Sequence, residues 1–437
     1  MRENIMPETI KHKGWRVTFS GTGINLALGI LYTWSIFKGA IRQSIEKGGE
    51  GAFNWNLASL NDPYAVCCIV FAFAMILSGK CQDRFGPRMT ALIGGVLVGL
   101  GFIWISQTTS YFAWVLGFGV LAGTGIGFGY AAATPPALKW FPPAKTGLIA
   151  GLVVSGFGLA SVYIAPLAQY LLGIWGLQNA MLFFGVAFLI VVCGLAMLLV
   201  NPPAGYAPEG ASANAIQTGP SGNAKMDAMP SEMMKTRTFY TIWCIYFIGA
   251  GAGLMVIGSV AGMAKRSMGE LAFFVVAILA VGNAGGRIIA GILSDKIGRR
   301  ATLMIMLSFQ TILMLIAIPI VGAEKSSAVP LLVLATFIGF NYGTNLSLFP
   351  SLTKDIWGLK NFGINYGIVF TAWGVGGFVM GRLSQMLVTY TGTYTSSFLT
   401  AAALLIIGAF LALTLRTEKV HEQVIQKEAA LSYGGSK

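Results

Sequence analysis

The sequence predicts an all-α membrane protein, with twelve transmembrane helices in two pseudo-symmetric six-helix bundles. Three observations carry that prediction. The 437-residue chain is 55% hydrophobic and only 10% charged, with mean hydropathy +0.71, whereas a soluble domain is about 25% charged. Its apolar residues gather into twelve runs, each long enough to cross a ~30 Å hydrocarbon layer, which takes about 20 helical residues. One charged decapeptide also occurs twice, as GKCQDRFGPR (Gly79 to Arg88) and GILSDKIGRR (Gly291 to Arg300), 212 positions apart.

The first six runs are 16–38, 63–82, 88–107, 111–138, 144–173 and 177–200. Run 16–38 exceeds a signal-peptide core and lacks a small-residue cleavage site, so it reads as a retained helix. Residues 201–238 are rich in Pro, Gly, Ala and Ser and read as a cytoplasmic linker. The last six runs are 239–263, 269–294, 300–321, 329–353, 361–390 and 394–415. The expected organisation is therefore a bundle over 1–200, the linker over 201–238, a second bundle over 239–416 and a cytoplasmic tail over 417–437. The halves match beyond the decapeptide. GFGYAAAT in the fourth run and GFNYGTNL in the tenth set Tyr130 and Tyr342 212 residues apart, and GLVVSGFG in the fifth answers GIVFTAWG in the eleventh. Duplication of this kind marks a parallel repeat about an axis normal to the membrane.

The charges are distributed by side. Of the 29 Lys and Arg, 21 fall in the tails, the linker and the alternate loops on one side; Lys38, Arg42, Lys47, Lys265, Arg266 and Lys325 fall on the other. By the positive-inside rule both termini are cytoplasmic. The net charge of +13 is thus a topology signal, and the expected surroundings are a lipid bilayer, a cell inner membrane crossed many times, with no nucleic-acid partner. The cysteines, Cys67, Cys68, Cys81, Cys193 and Cys244, have no zinc-type spacing. Every Asp and Glu lies in a tail, a loop or a run edge, and His12 and His421 lie in tails. No metal, cofactor or catalytic triad is expected, so the protein reads as no enzyme. No phosphate-binding loop appears, so any transport would draw on gradients.

Within the decapeptides, Asp83 and Asp295 can cap a helix N-terminus and hold the cations Arg84, Arg88, Lys296 and Arg299, while Gly86 and Gly298 permit a tight turn. A loop salt bridge is the plainer reading; recurrence at symmetric places favours a latch that breaks when the cytoplasmic face opens. The two charges inside runs are both arginines. Arg287, in VGNAGGRIIAG, would cost about 2.5–3.5 kcal/mol near a helix centre unless it faces protein or water. It could snorkel, or tie to Asp295 two turns away, but no acid lies in any run to neutralise it, and Gly282, Gly285 and Gly286 leave space nearby. A guanidinium kept for an anionic ligand fits better. Asn283, one turn earlier, could add a donor. Arg382 lies near the outer end of its run, where snorkelling and anion steering fit equally.

The paired decapeptides resemble the loop signature of the major facilitator superfamily. GILYTWSIF in the first run, NPPAGYAP after the sixth and NYGIVFTAWG in the eleventh resemble the oxalate/formate antiporter family and its monocarboxylate transporter relatives, bacterial pyruvate transporters among them. The resemblance implies the major facilitator fold, an arginine of the eighth helix as substrate anchor, and a cavity lined by Tyr130 and Tyr342, with Tyr32 added on resemblance alone. It also exposes a departure: Trp373 stands where oxalate/formate antiporters carry a lysine. A dianion would want two cations in a low-dielectric cavity, so one central arginine suits a monoanion. Phe370 and Trp373 would wall a short carbon chain, although helix packing explains Phe370 nearly as well. The expected function is secondary transport of a lactate- or pyruvate-like monocarboxylate together with a proton, by alternating access, in a monomer. Oxalate/formate-type anion exchange, and a facilitator for a neutral solute, are the alternatives.

Overall fold

The structure, a computed structural model, describes residues 12–203, 206, 208, 227–268, 272–322 and 328–415. Much of the linker, the tail over 417–437, His421 and Lys325 lie outside the described residues. The described chain is helical and holds no strand. We number the membrane-length segments in chain order. They are α1 Gly14–Lys47, α2 and α3 at 62–85 and 87–105, α4 Tyr111–Trp140, α5 and α6 at 146–175 and 177–196, α7 Arg237–Met268, α8 Ala272–Ile297, α9 Arg299–Gly322, α10 Ala328–Trp357, α11 Phe362–Thr391 and α12 Thr395–Thr414.

Two pairs are joined without a loop. α2 and α3 form one hydrogen-bonded stretch of 44 residues interrupted at Gly86 (φ 83°), and α5 and α6 one of 51 residues interrupted at Gly176 (φ 73°). A positive φ is open to glycine at little cost, so the chain reverses there within one residue. The reversal of α2–α3 is visible on α4. A Cβ on Gly127 would meet Ala74 at 2.9 Å, whereas one on Gly125 would meet the Gly94 carbonyl at 2.7 Å. Roughly opposite faces of one turn of α4 therefore touch residues twenty apart in the chain. Contacts of this kind bring helix backbones together through small residues, which is how helices associate where the solvent is as apolar as the side chains.

α1 and α4 depart from regular geometry. α1 tightens to a 3₁₀ turn over Gly29–Thr33, where Gly29 lies so close to α5 that a Cβ would fall 2.6 Å from the Phe157 carbonyl. That turn delivers Tyr32 towards the centre of the bundle. α4 passes through a π-helical stretch, Val115–Ala122. Pro135 and Pro136 sit inside α4 without ending it.

The first six helices meet the last six along α2–α11 and α5–α8. Gly79 faces the Gly363 backbone and Gly147 the Gly291 backbone, each approach too close for a side chain; higher up, Gly151 abuts the Arg287 carbonyl and Gly367 that of Met75. At the linker-side ends these pairs are sealed by the two motif aspartates. Asp83 accepts hydrogen bonds from the Gly363 and Ile364 amides at 3.0 and 2.9 Å, and Asp295 from the Gly147 and Leu148 amides at 2.8 and 2.9 Å. Each carboxylate thus caps the N-terminus of a helix in the other half. The expected cations need correction. Arg299 does pair with Asp295 (2.6 Å) and also with Asp355 (2.8 Å), but Arg84, Arg88 and Lys296 are exposed and make no ion pair with a described residue. Arg84 lies instead over the Phe85 ring.

Candidate functional site

Arg287 is wholly buried in α8. Its side chain is not tied to Asp295, nor does it reach the surface. Nε donates to Asn283 Oδ1 at 3.0 Å, Nη1 donates to the Val154 carbonyl of α5, and Nη2 is buried without a hydrogen bond of normal geometry, although the guanidinium approaches the Tyr32 hydroxyl. Asn283 lies one helical turn before Arg287, on the same face, so the amide aims the guanidinium across the gap between halves. Its oxygen accepts from the arginine, and its amide nitrogen is a separate donor group. The glycines need correction too. Gly282 and Gly286 face the Thr336 and Phe340 carbonyls of α10, whereas Gly285 stands open. The glycine beside the guanidinium is Gly158 of α5, where a Cβ would lie 3.3 Å from Arg287 Nε.

Around this cation the structure gathers aromatic side chains from seven helices. Tyr32 of α1 and Tyr342 of α10 bring their hydroxyls to 2.9 Å, and Trp373 Nε1 donates to Tyr342 Oη at 2.8 Å. Trp373 is therefore a hydrogen-bond donor as well as the apolar wall expected of it. The Tyr32–Tyr342 contact joins the two halves at the centre of the molecule. Phe370 stacks on Trp373 with centroids 5.1 Å apart, and Phe71 of α2 touches both rings. Tyr130 packs against Phe370 and Phe157. The Arg287 charge acts on the hydroxyls of Tyr32, Tyr130, Tyr246 and Tyr342, so one cation presides over four phenols.

Arg287, Asn283, Tyr32, Tyr130, Tyr342, Phe370 and Trp373 thus come together. Arg382 does not; it is exposed near the far end of α11. Asn25 and Asn341 donate to the carbonyls of Val153 and Met306 on neighbouring helices, a packing role. Three residues of consequence escaped sequence reasoning. Tyr246 of α7 and Tyr366 of α11 belong to the same aromatic cluster, touching Phe370 at 6.2 and 5.7 Å. Lys354, in the last turn of α10, is buried and donates to Thr146 Oγ1 at the start of α5, a third tie across the linker-side seal. Tyr366 did carry a signal: Phe362, Tyr366, Phe370 and Trp373 recur at helical spacing on one face of α11. Among the described residues no group of His, Cys, Asp and Glu could hold a metal ion.

A dozen membrane crossings in two similar halves, closed over a central cation at their interface, define a multi-pass membrane carrier. The family model of the Major Facilitator Superfamily matches residues 17–352 and 242–433, and the chain belongs to that superfamily of transporters. It is 27% identical to the oxalate:formate antiporter of Oxalobacter formigenes, over 89% of this chain and 87% of that protein. It is 28% identical to human monocarboxylate transporter 11, over 91% and 82% of the two chains. Its fold is shared with the fucose:proton symporter FucP of Escherichia coli (TM-score 0.62, 15% identity, 90% of this chain and 97% of that one).

Proposed function

We propose that this transporter carries small monocarboxylates of the lactate and pyruvate kind by alternating access, the carboxylate binding Arg287. The observation that carries the reading is the orphaned Nη2. A buried guanidinium with no acidic partner and an unfilled donor is a costly arrangement, and a carboxylate relieves it with a planar, bidentate fit. The named substrates of two relatives, an oxalate:formate antiporter and a monocarboxylate transporter, agree with an organic anion. Trp373 at the level of the cluster supplies a neutral donor where a dianion would call for a second cation. In this reading Asn283 positions the guanidinium, Tyr32, Tyr130 and Tyr342 bind substrate oxygens, and Phe370 with Trp373 walls the carbon chain. The count of basic residues supports placing the linker side in the cytoplasm of a cell inner membrane.

Coupling to a proton fits the monocarboxylate branch, with the proton carried on the substrate. Anion exchange is a second reading, favoured by one observation: around the central cluster the described ionisable side chains are Arg287, tyrosines and cysteines, with no carboxylate or histidine to relay a proton. Both readings are tested by counterflow of labelled pyruvate in proteoliposomes, with and without a pH gradient. Arg287→Lys keeps the charge but loses the fork. It should weaken apparent affinity about tenfold to a hundredfold, since a hydrogen bond to a charged group contributes about 1.5–3 kcal/mol. Near-normal affinity in that variant would make Arg287 a structural residue. Uptake driven by the pH gradient separates symport from exchange.

A further inference from the structure

Three tyrosine hydroxyls in the cluster have no hydrogen-bond partner in normal geometry, although Tyr366 faces both Tyr130 and Tyr246 closely enough to interact with them. Tyr130 is 2% exposed, Tyr246 wholly buried and Tyr366 4% exposed. Their rings converge on Phe370, with centroids 5.5, 6.2 and 5.7 Å from it. They come from α4, α7 and α11, so two of the three belong to the half that also supplies Arg287. Tyr32 and Tyr342 differ from them: their hydroxyls satisfy each other, and Trp373 adds a second bond to Tyr342. Buried polar groups in native proteins are nearly always paired, and a cluster of exceptions asks for an explanation. Helix packing alone gives none, because phenylalanine would fill the same volume without burying a hydroxyl.

Resting on the carboxylate reading above, we propose that Tyr246 and Tyr366, with Tyr130, form a second polar pole of the substrate site that takes the oxygen on the second carbon of a 2-oxo or 2-hydroxy acid. The carboxylate occupies Arg287 Nη2, and the keto or hydroxyl oxygen meets the phenols. The pole carries no formal charge, which suits a neutral oxygen better than a second carboxylate. A phenol can donate to a ketone and can also accept from an alcohol, so the pole admits pyruvate and lactate alike. Propionate fills the same carbon frame but offers the phenols nothing. A site built to hydrogen-bond an oxygen discriminates against the analogue lacking it, because its own groups are left unpaired.

The test is competition against labelled pyruvate in counterflow, with unlabelled pyruvate, lactate and propionate, on the wild type, Tyr246→Phe, Tyr366→Phe and the double variant. In the wild type propionate should compete at least about tenfold more weakly than the other two acids. In the double variant pyruvate and lactate should fall to the level of propionate, whose own competition stays within about twofold. The melting temperature in detergent should not fall, since each substitution removes an unpaired hydroxyl rather than a bond. The inference is overturned if propionate equals pyruvate in the wild type, if the variants weaken all three acids together, or if they lower the melting temperature. If Arg287→Lys abolishes competition while propionate matches pyruvate, only this inference fails; if no carboxylate competes at all, the carboxylate reading fails and takes it along.

Discussion

The linker-side seal can be loosened by a single atom exchange, Asp295→Asn. In the sealed state the Asp295 carboxylate accepts from two backbone amides at the N-terminus of α5 and from Arg299. Hydrogen bonds to a charged group contribute about 1.5–3 kcal/mol each, and the helix N-terminus adds an attraction for negative charge. Asparagine keeps one acceptor oxygen but turns an amide NH₂ towards backbone N–H donors, so about 2 kcal/mol of that stabilisation should go. The two amide bonds exist only while α5 and α8 are closed at this end, whereas the Arg299 pair lies within the second half and persists on opening; this fixes the sign: the population shifts towards opening on the linker side. At 1.4 kcal/mol per factor of ten, 2 kcal/mol is about 30-fold, enough to move a 100:1 preference to about 3:1. Asp83→Asn should shift the same equilibrium through α2 and α11 by a comparable factor. The assay is a pulsed electron–electron distance measurement in a background with the five native cysteines replaced. Spin labels go at the exposed positions Arg84 and Lys360, and separately at Lys145 and Lys296. Longer distances should gain weight in each variant across both pairs, because the halves separate as bodies. Unchanged distributions in both variants would refute the claim that these two caps hold the seal.

Two further outcomes follow from the packing. Gly286→Ala would place a Cβ 1.8 Å from the Phe340 carbonyl, whereas Gly285→Ala meets nothing within 4 Å. The first should cost more than about 3 kcal/mol and sharply lower the melting temperature and folded yield; the second should be neutral or gain up to about 1 kcal/mol from helix propensity. Trp373→Lys adds a cation beside Tyr342 and Phe370 while removing the donor to Tyr342, so competition by oxalate against labelled pyruvate should strengthen, and an unchanged preference would remove the argument from the missing lysine.

The helices and their order were legible because the membrane imposes one long apolar run per crossing, and Arg287 was legible because a charge inside such a run is conspicuous. What the motif aspartates bind was not, for a geometric reason. Arg84 and Lys296 each follow an aspartate directly, and neighbours in a helix do not face each other; Arg299, four residues after Asp295, reaches it from the start of α9 because the chain turns at Gly298 (φ 88°). In the first decapeptide that fourth place is Pro87, so Asp83 has no ion-pair partner of this kind. The real partners of both carboxylates are amides 280 and 148 residues away in the chain, a relation that no local pattern encodes. Lys354 was hidden by the same charge count that gave the topology, where it passed as one more basic residue near a helix end. Tyr246 and Tyr366 read as apolar packing, since whether a phenol has a partner is decided by tertiary contacts alone. Asn283 was placed on the correct face, and because a guanidinium can only donate, its oxygen is the atom that meets the arginine.

Binding and gating share an element in this arrangement. α5 is fastened to α8 at two levels, by Arg287 Nη1 on the Val154 carbonyl and by Asp295 on the first amides of α5. A carboxylate that engages the guanidinium through Nη2 alone leaves the upper fastening intact. One that takes the Nη1 N–H now given to Val154 displaces that carbonyl, and then α5 is held to α8 by the lower fastening and by backbone contact at the glycines. In the carboxylate reading, a substrate that takes this N–H weakens the closed interface while it binds, and the energy to do so is the difference between a bond to a carboxylate and one to a neutral carbonyl. An anion that binds Nη2 and the other Nη1 N–H would leave α5 fastened. Selectivity of transport would then be set partly by geometry at Arg287, in addition to affinity.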